Sequence, residues 1–494
     1  MSFADKKAFQ FFKHMWISIA QNGYFWFPLT IALFLRLRDF EQNSVWYDEA
    51  LTIFLTRLPL FPMVRLISHE LNPPLWEILE KLITSILSQQ PWGYRIISLV
   101  SSLGILWVSN KILMFYRVQK DIRFMALTLL ALLPYQIWMA QDARVYALMS
   151  YLYLQGFVFA LERKHWGLWA CSGLLLYSNS AAPFYVFTLL IIAFINHPEE
   201  WKKLFYVGVG TIITFSPWVF TWGKALSGGF FSGINVPEAN FERLFFQLSY
   251  LFWIDNMSLL NFVLSMSGFI FIILVFSFFL FLQVFQRKQF PRSYWIGLFL
   301  LSIFPIISIT LAGILYHSGH LMVYRAFSGA SAGMVIFLAF LMNQFSRYNK
   351  IIFGLLITMS FLYLLSWSPT QKGGYLKEKL EILESNVHPT DVFYHATATS
   401  LLPFQFYLKE HSHYLLNETF PPGFMIPSFQ EAFNLQKIPL EEIQARRVWI
   451  IYSRDAQLSS RIHERMGVYI RSARWMGKVE YPQAATIEIY LLER

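Results

Sequence analysis

Two consecutive carboxylates, Asp48 and Glu49, directly follow two aromatics in the run Val45-Trp46-Tyr47-Asp48-Glu49-Ala50. A second acid with a nearby cation stands in Ala140-Gln141-Asp142-Ala143-Arg144-Val145-Tyr146, and a late arginine, Arg325, follows Tyr324. A carboxylate can take the proton of a hydroxyl, and a guanidinium fork is shaped to hold a phosphate. Each residue also has a plain structural reading. Asp48 and Asp142 can cap helices, and Glu49 can complement a helix dipole. Trp46 and Tyr47 can belong to an aromatic belt, while Arg144 and Arg325 can anchor at a membrane interface. The run His69-Glu70-Leu71-Asn72-Pro73-Pro74-Leu75 starts a helix at its prolines, and His69 and Glu70 are either surface residues or contacts to a polar substrate. Nothing near His317 and His320 completes a ligand set, so no metal site is expected.

These residues must be positioned by membrane-embedded elements. Of 494 residues 56% are hydrophobic and only 14% charged, well under the share in soluble domains, so lipid is part of the solvent. The net charge of +10 does not form a nucleic-acid patch, because the Lys and Arg residues sit between apolar runs. The single cysteine, Cys171, excludes an intrachain disulfide. Apolar runs from Met15–Leu35 through Gly93–Phe115 to Ile351–Trp367 predict roughly eleven transmembrane helices, the first an uncleaved signal anchor.

Between the first two runs lies an outer loop, residues 39–92, whose segment Pro73–Ser88 carries Glu77, Glu80 and Lys81. Charges at mid-membrane are costly, so this segment reads as an interfacial helix, with a short transmembrane span as the rival reading. With that choice every loop assigned inside is basic, the N-terminus is cytoplasmic and the C-terminus is outside. The candidate acids and Arg325 then share the outer face. From about Ser368 strand-like runs (Asp391–His395, Val448–Tyr452, Thr486–Leu492) alternate with helical ones, predicting a small extracytoplasmic α/β domain over 368–494. A base, a leaving-group stabiliser and lipid access are what sugar transfer from a lipid phosphate requires. A transporter or flippase is the alternative, but it would place ionisable groups near mid-membrane and often show repeats.

The succession Trp46-Tyr47-Asp48-Glu49, Asn72-Pro73-Pro74-Leu75 and Gln141-Asp142-Ala143-Arg144-Val145-Tyr146 resembles the membrane GT-C glycosyltransferases. Within them it is most similar to glycosyltransferase family 39, the protein O-mannosyltransferase-like group that includes lipid A aminoarabinose transferases. The resemblance covers residues 15 to about 367 and implies a GT-C domain over 1–367 in a bacterial plasma membrane. It implies a polyprenyl-phosphate sugar donor, a lipid, glycan or protein acceptor, and no cofactor. By it, Asp48 is the catalytic base, Glu49 its partner acid, Asp142 the acid of the second outer loop, and Arg325 the late arginine at the carrier phosphate. Ala326 stands where that family usually has an aromatic, and Asn72 where it often has histidine.

Overall fold

The computed structural model describes residues 23–68, 72–227, 248–252, 292–315, 324–343, 349–366, 376–396, 398–416, 435–453, 460–480 and 486–494, with isolated positions between. Its helices are α1 (Gly23–Leu37), α2 (Tyr47–Arg57), α3 (Leu60–Ile67), α4 (Leu75–Ile86), α5 (Pro91–Phe115), α6 (Lys120–Leu132) and α7 (Pro134–Ala140). They continue with α8 (Tyr146–Leu161), α9 (His165–Leu176), α10 (Ala182–Asn196), α11 (Trp201–Ser227), α12 (Arg292–Ser302), α13 (Phe304–Leu315), α14 (Ser328–Asn343) and α15 (Asn349–Ser366). Among the described residues, three helices are long and apolar enough to cross a membrane, or five if each of two bent pairs is one span. The expected span Ser258–Phe285 falls mostly outside the described residues.

Close packing in the bundle depends on missing side chains. A Cβ on Gly104 of α5 would stand 2.8 Å from the Tyr151 ring of α8, so the approach of these two helices requires glycine there. The core helix α14 is buried along nearly its whole length, and Gly333 meets the Leu301 carbonyl of α12.

One bent pair aims the second acidic loop. Helices α6 and α7 meet at 58° across Leu133. Pro134 has no N–H to give the Leu130 carbonyl, and it pushes Leu133 into an extended conformation. Arg36 supplies the missing donors: its guanidinium reaches Leu130 O at 3.3 Å, Ala131 O at 3.1 Å and Ser102 Oγ at 2.8 Å. The residue that closes the first apolar run is therefore a buried cap for a broken helix rather than a flanking surface charge.

The segment Pro73–Ser88 forms α4, whose 12 residues reach roughly 18 Å, short of a bilayer's hydrocarbon. Its polar face points inward, burying Glu77, Glu80 and Thr84, while Ile78, Leu82 and Ile86 face out.

After α15 come α16 (Leu376–Glu384), β1 (Val392–His395), α17 (Ala398–Tyr407), β2 (Ser412–Leu415), β3 (Gln436–Lys437), β4 (Arg447–Ser453), α18 (Ser460–Arg471), β5 (Arg474–Glu480) and β6 (Thr486–Glu493). They build a six-stranded sheet in the order β3-β2-β1-β4-β6-β5. β3, β2, β1 and β4 run parallel, with Tyr394 beside Tyr414 and Ile450, and β6 joins β4 and β5 antiparallel. Two features tie this sheet unit to the first loop. Leu401 and Leu402 of α17 bury into the main core, and the Val45 N–H donates to the Tyr407 hydroxyl at 2.7 Å.

Candidate active site

The two acids of α2 part company at its first turn. Glu49 is fully buried, and Arg95 of α5 holds it by two parallel bonds, Nε to Oε1 at 3.0 Å and Nη2 to Oε2 at 2.8 Å. The same Oε1 accepts the Ala143 N–H at 2.8 Å, and Arg95 also donates to the carbonyls of Phe40 and Asn43. One ion pair thus ties the first loop, the α5 start and the second acidic loop together. A buried pair fixes geometry more than it stabilises, but removing one partner is severe.

Asp48 points the other way and keeps 21% of its side chain exposed, against 0% for Glu49. Its carboxylate makes an ion pair with Arg325, which lies in the short 3-10 turn Tyr324–Phe327 ahead of α14. The Arg325 guanidinium stacks 4.6 Å over the Trp46 ring and stands 5.9 Å from that of Tyr146. Trp46 in turn donates its indole N–H to Asp142 Oδ1 at 3.1 Å. Asp142 is fully buried, and Ser98 Oγ donates to its backbone carbonyl at 2.6 Å. Arg144 donates to Thr52 Oγ1 at 3.1 Å and approaches the Asp48 carbonyl at 3.5 Å.

So Trp46, Asp48, Asp142, Arg144, Tyr146 and Arg325 gather at one place, although the chain separates Asp48 from Arg325 by 277 positions. Tyr47 packs on the main core instead. His69, Glu70 and the Tyr324 side chain lie outside the described residues.

Behind the site, α4 adds acids that the sequence places on an interfacial helix without a role. Burial raises the Glu77 carboxyl above its usual range, with Arg144 opposing. Burial, then Glu77, then Glu49 raise Glu80 further, and neither of its oxygens has a hydrogen-bond partner among the described residues. All three effects favour the protonated, neutral form of Glu80. Burial works against the charge of Arg144, but Tyr146, Asp48, Glu77 and Asp142 more than offset it and raise its pKa.

Arg95 and Arg36 are the residues that sequence reasoning missed as site supports. The available signal was position: a cation inside an apolar run needs a buried partner, and Arg95 had Glu49 in the adjoining loop.

No family model matches the chain, and no curated protein matches it. Among solved structures it is similar to ArnT from Cupriavidus metallidurans in the apo state, at 10% identity and TM-score 0.45, over 95% of this chain and 98% of that one. It is also similar to the same protein bound to undecaprenyl phosphate, at 10% identity and TM-score 0.44, over 94% and 98% of the two chains. A likeness of this size leaves the chemistry to the site's own residues.

Proposed function

We propose that this chain is a membrane glycosyltransferase of the GT-C type, moving a sugar from a polyprenyl-phosphate donor to an acceptor hydroxyl on the extracytoplasmic side. The observation that carries the reading is the partly exposed Asp48–Arg325 pair, framed by Trp46 and Asp142. A base in the first turn of α2 and a phosphate-binding cation in the turn before α14 sit in contact, and neither belongs to a helix break.

The step is an inverting single displacement. The acceptor oxygen forms a bond to the anomeric carbon as its proton passes to Asp48, and the bond from that carbon to the phosphate oxygen breaks. Its electron pair leaves on the lipid phosphate, where Arg325 takes up the growing charge. The resting ion pair fits this order of events. A donor phosphate competes with Asp48 for Arg325, so donor binding releases the carboxylate to act as base. Trp46 keeps the guanidinium in place by stacking, and Asp142 keeps Trp46 in place.

Within this reading Glu49 is a positioning residue. Residues 1–367 form the catalytic unit, with roughly eleven spans and a cytoplasmic N-terminus. Residues 368–494 form an extracytoplasmic unit that helps choose the acceptor, whether lipid, glycan or protein. The two bent helix pairs are features a transporter would share. The same transfer experiment separates that alternative.

The experiment is transfer of radiolabelled sugar from a panel of polyprenyl-phosphate sugars by protein in lipid, with Asp48→Asn beside wild type. Transfer or donor hydrolysis falling by roughly 10²–10⁴-fold in the variant, with donor binding kept, is the expected result. Full activity in the variant removes Asp48 from the mechanism. Donor crossing the bilayer without sugar release supports the transporter.

A further inference from the structure

The candidate active site uses the beginnings of α2 and α8 and the turn before α14. A separate cavity of about 960 Å³ lies between the N-terminal halves of α9 and α11. The 16 residues of α8 put it roughly 24 Å from Tyr146, at the other end of the bundle. Its inside is apolar, and its depth comes from Gly210, where a Cβ would stand 3.1 Å from Trp169 Nε1. That indole N–H is buried with no acceptor among the described residues. Around the cavity, Trp166 is 81% exposed, Tyr206 71% and Ile213 65%, a face suited to hydrocarbon.

One end of the cavity is charged. Arg163, Lys164, His165 and Lys203 line it. Each rests on an acid: Arg163 on Glu199 at 2.9 Å, Lys164 on Glu162 at 2.7 Å, and His165 and Lys203 on Glu200 at 2.8 and 3.1 Å. Arg163, Lys164 and Lys203 stay more than half exposed, so these pairs are weak and open to exchange.

We propose that this cavity is a binding site for one membrane glycerophospholipid, with an acyl chain between α9 and α11 and its phosphodiester at the cationic end. An apolar interior that ends in exposed, ion-paired cations fits a molecule that is hydrocarbon at one end and, at the other, an anion able to replace their carboxylates. The phosphodiester displaces the carboxylates from Arg163, Lys164 and Lys203, and an ester carbonyl of the lipid accepts the Trp169 N–H. The site is independent of sugar transfer, which takes place at the far end of α8.

The test uses the full chain in phosphatidylcholine nanodiscs doped with phosphatidylglycerol that carries a diazirine on one acyl chain, with adducts mapped after illumination. The expected adducts concentrate on residues 166–169 and 206–213, above those on the equally apolar face at Trp107 and Phe187. The double substitution Arg163→Gln with Lys203→Gln lowers them by about tenfold. Gly210→Leu fills the cavity and lowers them with the charges intact. Labelling spread evenly around the bundle, which wild type alone reports, overturns the proposal. So does labelling that both variants leave unchanged. Adducts cleared by unlabelled polyprenyl phosphate but not by unlabelled phosphatidylglycerol assign the cavity to the sugar carrier and overturn it as well.

Discussion

A helix turns about 100° per residue, so neighbouring acids in its first turn cannot face the same way. Asp48 and Glu49 show the consequence, one partly exposed and paired with Arg325, the other sealed against Arg95. Substitution should separate them. Glu49→Gln leaves Arg95 buried without its counter-charge and costs about 3–5 kcal/mol, read as a lower Tm and less folded protein in detergent. Asp48→Asn lowers Tm by less than Glu49→Gln does, because its pair is partly exposed rather than sealed, and removes transfer. Equal losses of Tm in both variants would show that Asp48 is structural too. The types of Asp48, Asp142 and Arg325, and their places beside helix starts, were legible in the chain. The division of labour within the Asp48-Glu49 pair was not, since helix phase and the reach of Arg95 depend on tertiary packing.

Among the elements, the proline break between α6 and α7 has the clearest effect on the site. Pro134 frees the Leu130 carbonyl, Arg36 occupies it, and α7 leaves at a new angle that delivers residues 141–144 to α2. Pro134→Ala restores an N–H that competes with Arg36 for that carbonyl and straightens the pair. Sugar transfer should fall by about 10²-fold with a small change in Tm, because a displacement of about 1 Å is enough to spoil a reacting geometry. Retained activity would show that the bend does not position Asp142. The later strands Val448–Tyr452 and Thr486–Leu492 could be read in advance, since β4 adds one residue at each end of the first and β6 one residue at the C-terminal end of the second. The strands β2, β3 and β5 were missed, because Ser412–Leu415 and Gln436–Lys437 are too short to show alternation and Arg474–Glu480 is rich in charge. The inward polar face of α4 was missed as well, since an amphipathic pattern gives a helix two faces without saying which one meets the protein.

For the molecule as a whole, the sheet unit reaches the first loop through α17, and two buried histidines sit where α17 leaves the sheet. His395 Nδ1 lies 3.1 Å from Ser400 Oγ, its Nε2 lies 3.0 Å from His413 Nδ1, and His413 Nε2 lies 3.0 Å from the Leu408 carbonyl. Phe393, Phe404 and His411 close around them. Burial, with His413 as neighbour, holds His395 well below its usual range. Burial, with His411 adding to it, lowers His413 to about 4. The unfolded chain therefore binds protons first as pH falls. Stability is full above the unfolded value of 6.5 and drains away toward about 4. Melting of the sheet unit between pH 7.5 and 5 should show Tm falling by several degrees, and His413→Gln should flatten the slope. A wild-type profile already flat across that window would show that the pair takes up no proton on unfolding.

The ion pair between Asp48 and Arg325 also has a history in time. Synthesis proceeds at roughly 5–20 residues per second, so the 277 positions between the two take about 14 to 55 s to appear. Glu49 waits only 46 positions for Arg95, and Val45 waits 362 for Tyr407. In order of synthesis, the partner of Glu49 comes first, the partner of Asp48 comes with the turn before α14, and Tyr407 of α17 comes last. The acids of the site are thus made long before its cation, and the proposed transfer has both groups only once most of the bundle exists.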